Sequence, residues 1–259
     1  MKRLVLPLVI LLAVALAAGA AWLVLSRTSG PRGSEPGVEQ RAVLPFSKIV
    51  VEGQADVTLV QGPAEAVVVE AAPRQLARVR TESRDGTLVI STDGSRRWWS
   101  SLFGRGGRPA RITVTFRELD ALRATGAVKL KADQLQADKL TIAVTGAAAL
   151  KIADLAVREL SVAGSGAVKA DLAGRATTQK IAISGAGDYR AANLRSEHAS
   201  VAVSGAGRVV VNAERTLNVA LSGAGTVEYV GDPAITERVS GTGRVKKHLS
   251  ADEEPARIT

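Results

Sequence analysis

Few side chains in this chain of 259 residues are of a type that does chemistry. It has no cysteine, which removes thiolate nucleophiles, disulfides and lipid attachment through a lipobox cysteine. Its two histidines, His198 and His248, have no Ser-His-Asp arrangement about them in the sequence and read as solvated surface residues. Sugar cleavage needs carboxylates that converge on one face. Asp171, Asp188 and Glu228 are spread over two columns of the pattern described below and alternate with bases, which suits salt-bridged surface. Gly185-Ala186-Gly187-Asp188 occurs once, without the repeated aspartates of a calcium-binding roll, and Gly-x-Gly with no helix after it is not a phosphate loop. The expectation is no catalytic residue, no metal site and no cofactor.

Contact chemistry is better represented. The stretch from Gly94 to Arg108 carries Arg96, Arg97, Trp98, Trp99, Phe103 and Arg105, with four arginines and no acid. Trp beside Arg suits sugar stacking, phosphate contact or insertion at a lipid interface. The competing expectation is that the rings fold back to cover an apolar side or end of the fold.

What positions these groups is a repeat. A hydroxyl residue precedes glycine at Thr125-Gly126, Thr145-Gly146, Ser165-Gly166, Ser184-Gly185, Ser204-Gly205, Ser222-Gly223 and Ser240-Gly241, with the glycines 20, 20, 19, 20, 18 and 18 residues apart. Two residues before each glycine stand Ala124, Val144, Gly164, Ile183, Val203, Leu221 and Val239. Four before stand Leu122, Ile142, Val162, Ile181, Val201 and Val219, broken only by Glu237. Four after stand Leu130, Leu150, Ala170, Tyr189, Val209, Val227 and Val245. Period two on both sides of a glycine is strand, turn, strand. A unit this small cannot bury its own apolar face, so like columns must stack from unit to unit. The predicted fold is all-β, a single-domain parallel β-helix, and the 3% aromatic content fits a narrow coil. Gly53, between Ile49, Val51 and Val57, Leu59, reads as the first rung. Ala66 to Glu70, Leu76 to Thr81, Thr87 to Thr92 and Arg111 to Phe116 read as further strands, with Asp85-Gly86 as a tight turn.

If the fourth residue after each glycine points inward, the third and fifth point out. There stand Lys129, Lys131, Lys151, Lys169, Arg190, Arg208, Arg244 and Lys246 against Asp171, Asp188 and Glu228. Such a face would attract an anionic glycan, lipopolysaccharide or anionic lipid. The plainer reading is solubility, with repulsion that discourages end-to-end stacking.

Met1-Lys2-Arg3 precedes an apolar run from Leu4 to Leu25, the pattern of an export segment. Ala18-Gly19-Ala20 would serve for cleavage, while 22 residues suffice to span a bilayer; signal peptide and membrane anchor both stay open. The expected organisation is export segment 1–25, polar linker 26–41, β-helix 42–249 and polar tail 250–259. The expected location is periplasmic or cell-surface, with residues 4–25 as anchor in the cytoplasmic membrane if uncleaved. Intracellular nucleic acid is not an expected partner, and the oligomeric state is not set by the sequence. Without residues 1–30 the chain keeps 31 bases against 25 acids.

Residues Phe46 to Gly53 (Phe-Ser-Lys-Ile-Val-Val-Glu-Gly), Asp56 to Gly62 and Gly86 to Ile90, with the repeated Ser-Gly-Ala-Gly, resemble the auto-transporter adhesin head domain, also called the GIN domain. The units at Ala127, Ala147 and Ala167 depart from its glycine-rich corner. The resemblance covers roughly residues 42 to 245. It implies a right-handed β-helix on or outside the bacterial envelope, and no reaction. The leading functional expectation is a non-enzymatic surface protein of adhesin type. A carbohydrate-active enzyme on acidic polysaccharide and a self-assembling scaffold are the alternatives.

Overall fold

The computed structural model describes residues 37–92 and 109–248, and these are nearly all β. In chain order they form β1 (Gly37–Arg41), β2 (Lys48–Gln61), β3 (Ala66–Ala71), a four-residue helix α1 (Pro73–Leu76), β4 (Val79–Arg84), β5 (Thr87–Thr92), β6 (Ala110–Phe116), β7 (Ala121–Gly205), β8 (Arg208–Gly223), β9 (Thr226–Val230), β10 (Ala234–Gly241) and β11 (Arg244–Lys247). One open sheet holds them, along the path β1-β3-β6-β2-β7-β8-β9-β11, with β4, β5 and β10 paired beside it.

β7 covers 85 residues and would reach about 280 Å if straight. Its glycines bend it and stack it on itself. Gly166 has φ +107°, and a Cβ built there would lie 2.5 Å from the carbonyl oxygen of Gly146; Gly146 meets Gly126 in the same way at 2.6 Å, and Gly205 meets Gly185 at 2.6 Å. Positive φ and backbone contact together exclude a side chain at this file of corners. The file continues in parallel register, Gly205 opposite Gly223 and Gly223 opposite Gly241, with Ser204, Ser222 and Ser240 beside it.

Stacked glycines bring like columns together. Leu122, Ile142, Val162, Ile181, Val201 and Val219 are buried, as are Val144, Ile183, Val203 and Leu221 and, after the corner, Leu130, Leu150, Ala170, Tyr189, Val209 and Val227. Full burial of an aliphatic side chain is worth about 1.5–3 kcal/mol, so the ladder supplies most of the cohesion. A polar cluster is carried inside. Gln179, fully buried, donates from Nε2 to Ser196 Oγ (2.7 Å) and to the Asn212 carbonyl (3.0 Å), which satisfies it. Burial pushes the neighbouring Tyr189 phenol far up from its ordinary pKa.

Both ends differ from the sequence expectation. β2, which carries Gly53, is not outermost. Lys48–Glu52 pair with β5 and Ala55–Gln61 with β6 on one side, while Lys48–Leu59 pair with β7 on the other. Later residues thus supply the rung beyond it. At that corner Thr92 stands where a glycine stands elsewhere: the Gln54 amide donates to Thr92 Oγ1 (2.7 Å), and a Cβ on Gly53 would meet the Thr92 carbonyl oxygen at 2.3 Å. Past this rung the pairing turns antiparallel, β4 on β5, β3 on β6 and β1 on β3. β1 falls inside the stretch read as linker, and the run read as a strand from Leu76 opens instead with the end of α1 before β4 starts at Val79. At the far end β10 is exposed throughout. Val239, in a column buried in earlier units, is 43% exposed, because only β8 lies against it. Among the described residues no helix is long and apolar enough to cross a membrane; residues 4–25 lie outside them.

Candidate functional site

With Leu130, Leu150 and Ala170 turned into the core, their neighbours on β7 must point out. These are Lys129 and Lys131, Ala149 and Lys151, Lys169 and Asp171. They line a groove of about 630 Å³ together with Asp56 and Thr58 of β2, Arg111 and Thr113 of β6, Val68 and Glu70 of β3 and Val38 of β1. Ala149 is its low point, in the column between Lys129 and Lys169. At a rung spacing of about 4.8 Å those two backbones stand roughly 10 Å apart, and Lys131 and Lys151 roughly 5 Å.

Ion pairing decides which of these charges is available. Lys131 Nζ lies 3.0 Å from Asp133 Oδ1, and Arg111 lies 3.7 Å from Glu70. Asp56 is the register neighbour of both Arg111 and Lys129 and closes an ion pair with neither. Among the described residues Lys129, Lys151 and Lys169 have no ion pair. Three free ammonium groups therefore surround one methyl group. Like charges on adjacent strands repel, and an anion seated over Ala149 would turn that repulsion into attraction.

Further along, most bases of the stripe are ion-paired. Arg190 pairs with Asp188 at 2.7 Å, and Arg208 and Lys246 pair with Glu228 at 3.5 and 3.4 Å. Among the described residues the eight-base face read from the sequence thus carries no ion pair at Lys129, Lys151 and Lys169, whereas beyond Gly185 Arg190, Arg208 and Lys246 are paired and Arg244 is not. Glu228 is not an outward surface acid: it is 5% exposed, and its Oε2 lies 2.6 Å from His248 Nδ1. Burial pushes this carboxyl up, but the hydrogen bonds from His248 and Lys246 and the charges of Lys246 and Arg208 outweigh it and hold the pKa below the ordinary 4.5. Neither histidine is simply solvated, since His198 Nδ1 pairs with Thr216 Oγ1 at 2.8 Å. Ala149 carried a signal in the sequence, as the small residue interrupting a lysine column. Val38 carried none, because β1 lies outside the repeat.

A second trough of about 680 Å³ runs before the glycine file, lined by Ala143, Ala163, Ala182, Ala202 and Ala220 beside Thr145, Ser165, Ser184, Ser204 and Ser222. It offers methyl and hydroxyl groups and no charge until Arg238 at one end. Among the described residues no three of His, Asp and Glu gather as metal ligands would. Arg96, Arg97, Trp98, Trp99, Phe103 and Arg105 lie outside the described residues.

The family model described as "Putative auto-transporter adhesin, head GIN domain" matches residues 45–233. Among solved structures, a "putative adhesin" from Bacteroides fragilis superposes with TM-score 0.77 at 23% identity, over 83% of this chain and 98% of that one. A "putative lipid binding protein" from Parabacteroides distasonis does so with TM-score 0.61 at 19% identity, over 83% and 97%. At these identities the likeness is one of fold. A comparison with the curated proteins finds no match.

Proposed function

Because the chain belongs to the auto-transporter adhesin head GIN domain family, we propose that it is an exported, non-enzymatic protein of adhesin type, a right-handed parallel β-helix that holds an anionic envelope polymer in its basic groove. The adhesin and lipid-binding descriptions of its structural neighbours support a surface role of this kind. The observation that carries the ligand class is the trio Lys129, Lys151 and Lys169, free of ion pairs about Ala149. Cations already matched by acids gain little from a new anion, whereas unmatched ones release the counterions of a bound polyanion. The proposal extends to the segment around Trp98 and Trp99, whose four arginines also lack an acid in sequence.

The test is binding of a soluble linear polyanion, polyphosphate, at two salt concentrations. Three contacts at the single-strand slope predict about a 20-fold loss of affinity for a fourfold rise in salt. Changing Lys129, Lys131, Lys151 and Lys169 together to Glu should abolish binding, while Arg190→Glu, at a compensated position, should change it little. Salt-independent affinity, or binding that survives the fourfold reversal, would overturn the groove as the site. Of the alternatives, end-to-end assembly is opposed by Glu237, which stands in the apolar column of the terminal strand opposite Val219, an inward charge of the kind that blunts sheet edges.

A further inference from the structure

The end of the sheet away from β10 carries, beside the groove, a second charged surface built from other residues. Arg74 and Arg78 sit on and just after α1. On β4, with Val79 buried, alternation turns Arg80 and Arg84 outward. All four are exposed, and none has an ion pair among the described residues. Glu82 and Asp85 are the acids of the same stretch and leave it basic.

This array is held in place. Arg41 of β1 donates to the carbonyls of Val79 and Leu76 and to Thr81 Oγ1 (2.6 Å), which ties β1, α1 and β4 into one piece. Leu44, 64% exposed, is joined to that piece where Ser83 Oγ donates to its carbonyl (3.0 Å). A bulky aliphatic side chain held this far out beside free arginines is the combination that inserts at a lipid interface.

The chain enters the fold at this same place. A Cβ on Gly37, the first residue of β1, would lie 2.8 Å from Leu76 Cδ1 of α1. In the sequence only the eleven residues 26–36 separate Gly37 from the apolar run Leu4 to Leu25, a length whose r.m.s. span as flexible coil is about 20 Å. We propose that this cap, through Arg74, Arg78, Arg80, Arg84 and Leu44, docks on the surface of an anionic phospholipid bilayer, the guanidinium groups on lipid phosphates and Leu44 in the interface. Guanidinium suits this role, since its fork of donors matches phosphate oxygens two at a time.

Each basic residue near an anionic leaflet raises binding about fivefold, so four contribute several hundredfold. The experiment uses the full chain in nanodiscs of phosphatidylcholine alone or mixed with phosphatidylglycerol, and follows amide hydrogen exchange in residues 73–84. β4 pairs only with β5, so its outer edge reports contact directly. Exchange should slow several-fold in the anionic discs, recover in high salt, and stay fast in the variant with all four arginines changed to Ser. Should that variant fail to fold, Leu44→Ser, at an exposed site, must weaken the same protection. Equal exchange in the two lipids, or protection retained in the arginine variant, overturns the proposal. Polyphosphate binding by the groove is expected unchanged in the arginine variant, so the two readings fail separately.

Discussion

Substituting Gly166 by Ala isolates what the glycine file contributes, provided Gly86→Ala is measured beside it. Both glycines have positive φ, +107° and +69°. A Cβ at Gly86 meets nothing within 4 Å, whereas one at Gly166 lies 2.5 Å from the Gly146 oxygen. Positive φ alone costs an L-residue roughly 1–2 kcal/mol, and that is all Gly86→Ala should lose. At Gly166 the units must also part by about 0.9 Å before the new methyl reaches an ordinary contact distance of 3.4 Å. Such an opening takes two or three interstrand hydrogen bonds out of range, at about 1 kcal/mol each, for a total near 4 kcal/mol. For a chain of this size each kcal/mol moves Tm by about 2–4 °C. Thermal unfolding should therefore show Gly166→Ala lowered by about 8–16 °C and Gly86→Ala by roughly a third as much. Equal shifts, or no shift at Gly166, would show that the corners do not bear on one another.

The remaining predictions concern the far end of the sheet. Because the Glu228 carboxyl is held below 4.5 in the fold, its contribution is complete above that pH and is lost as the pH falls through its lower, folded value. Protection factors of β11 amides should fall in that acid range, and Glu228→Gln should show reduced protection at neutral pH with no further acid step; an identical pH profile in the variant would refute a role for the Glu228 contacts with Lys246 and His248 in holding β11. Glu237→Val should complete the apolar column with Ile235 and Val239, 39% and 43% exposed, and sedimentation velocity should show association absent from the parent. A variant sedimenting as the parent does would mean that Glu237 does not guard the edge.

The middle of the molecule was legible because its physics is local. Val144, Ile183, Val203 and Leu221 stand at a fixed offset from a glycine, and stacking like on like needs only that offset. Most strands of the cap and its Asp85-Gly86 turn were legible, but their pairing was not. β5 meets β2 with Thr87 opposite Lys48, a pairing that no periodicity announces, and Thr92 replaces the marking glycine at its corner. The basic stripe was legible as a column but not as a division. Whether a base is free depends on where an acid reaches, along the same strand as Asp133 reaches Lys131 or from another strand as Glu228 reaches Lys246. His248 was misread because its partner lies 20 residues away and the alternation placed Glu228 outside.

The placement of β2 between strands that follow it governs how the fold can be assembled. Lys48 pairs with Thr87 on one flank and with Ala121 on the other, so an emerging polypeptide has no finished layer until residues well past Ala121 are present. Closing that separation rather than the 20-residue step from Gly126 to Gly146 costs roughly 1 kcal/mol more in chain entropy, and it must be met once. Every later layer is then added across a short loop onto a surface already templated, as monomers join a growing crystal face. A polypeptide threaded through a translocation pore would thus cross one kinetic threshold early and elongate quickly afterwards. Truncation from the C-terminus removes only the most recent additions, whereas loss of β5 and β6 leaves β2 without the strands on its other flank.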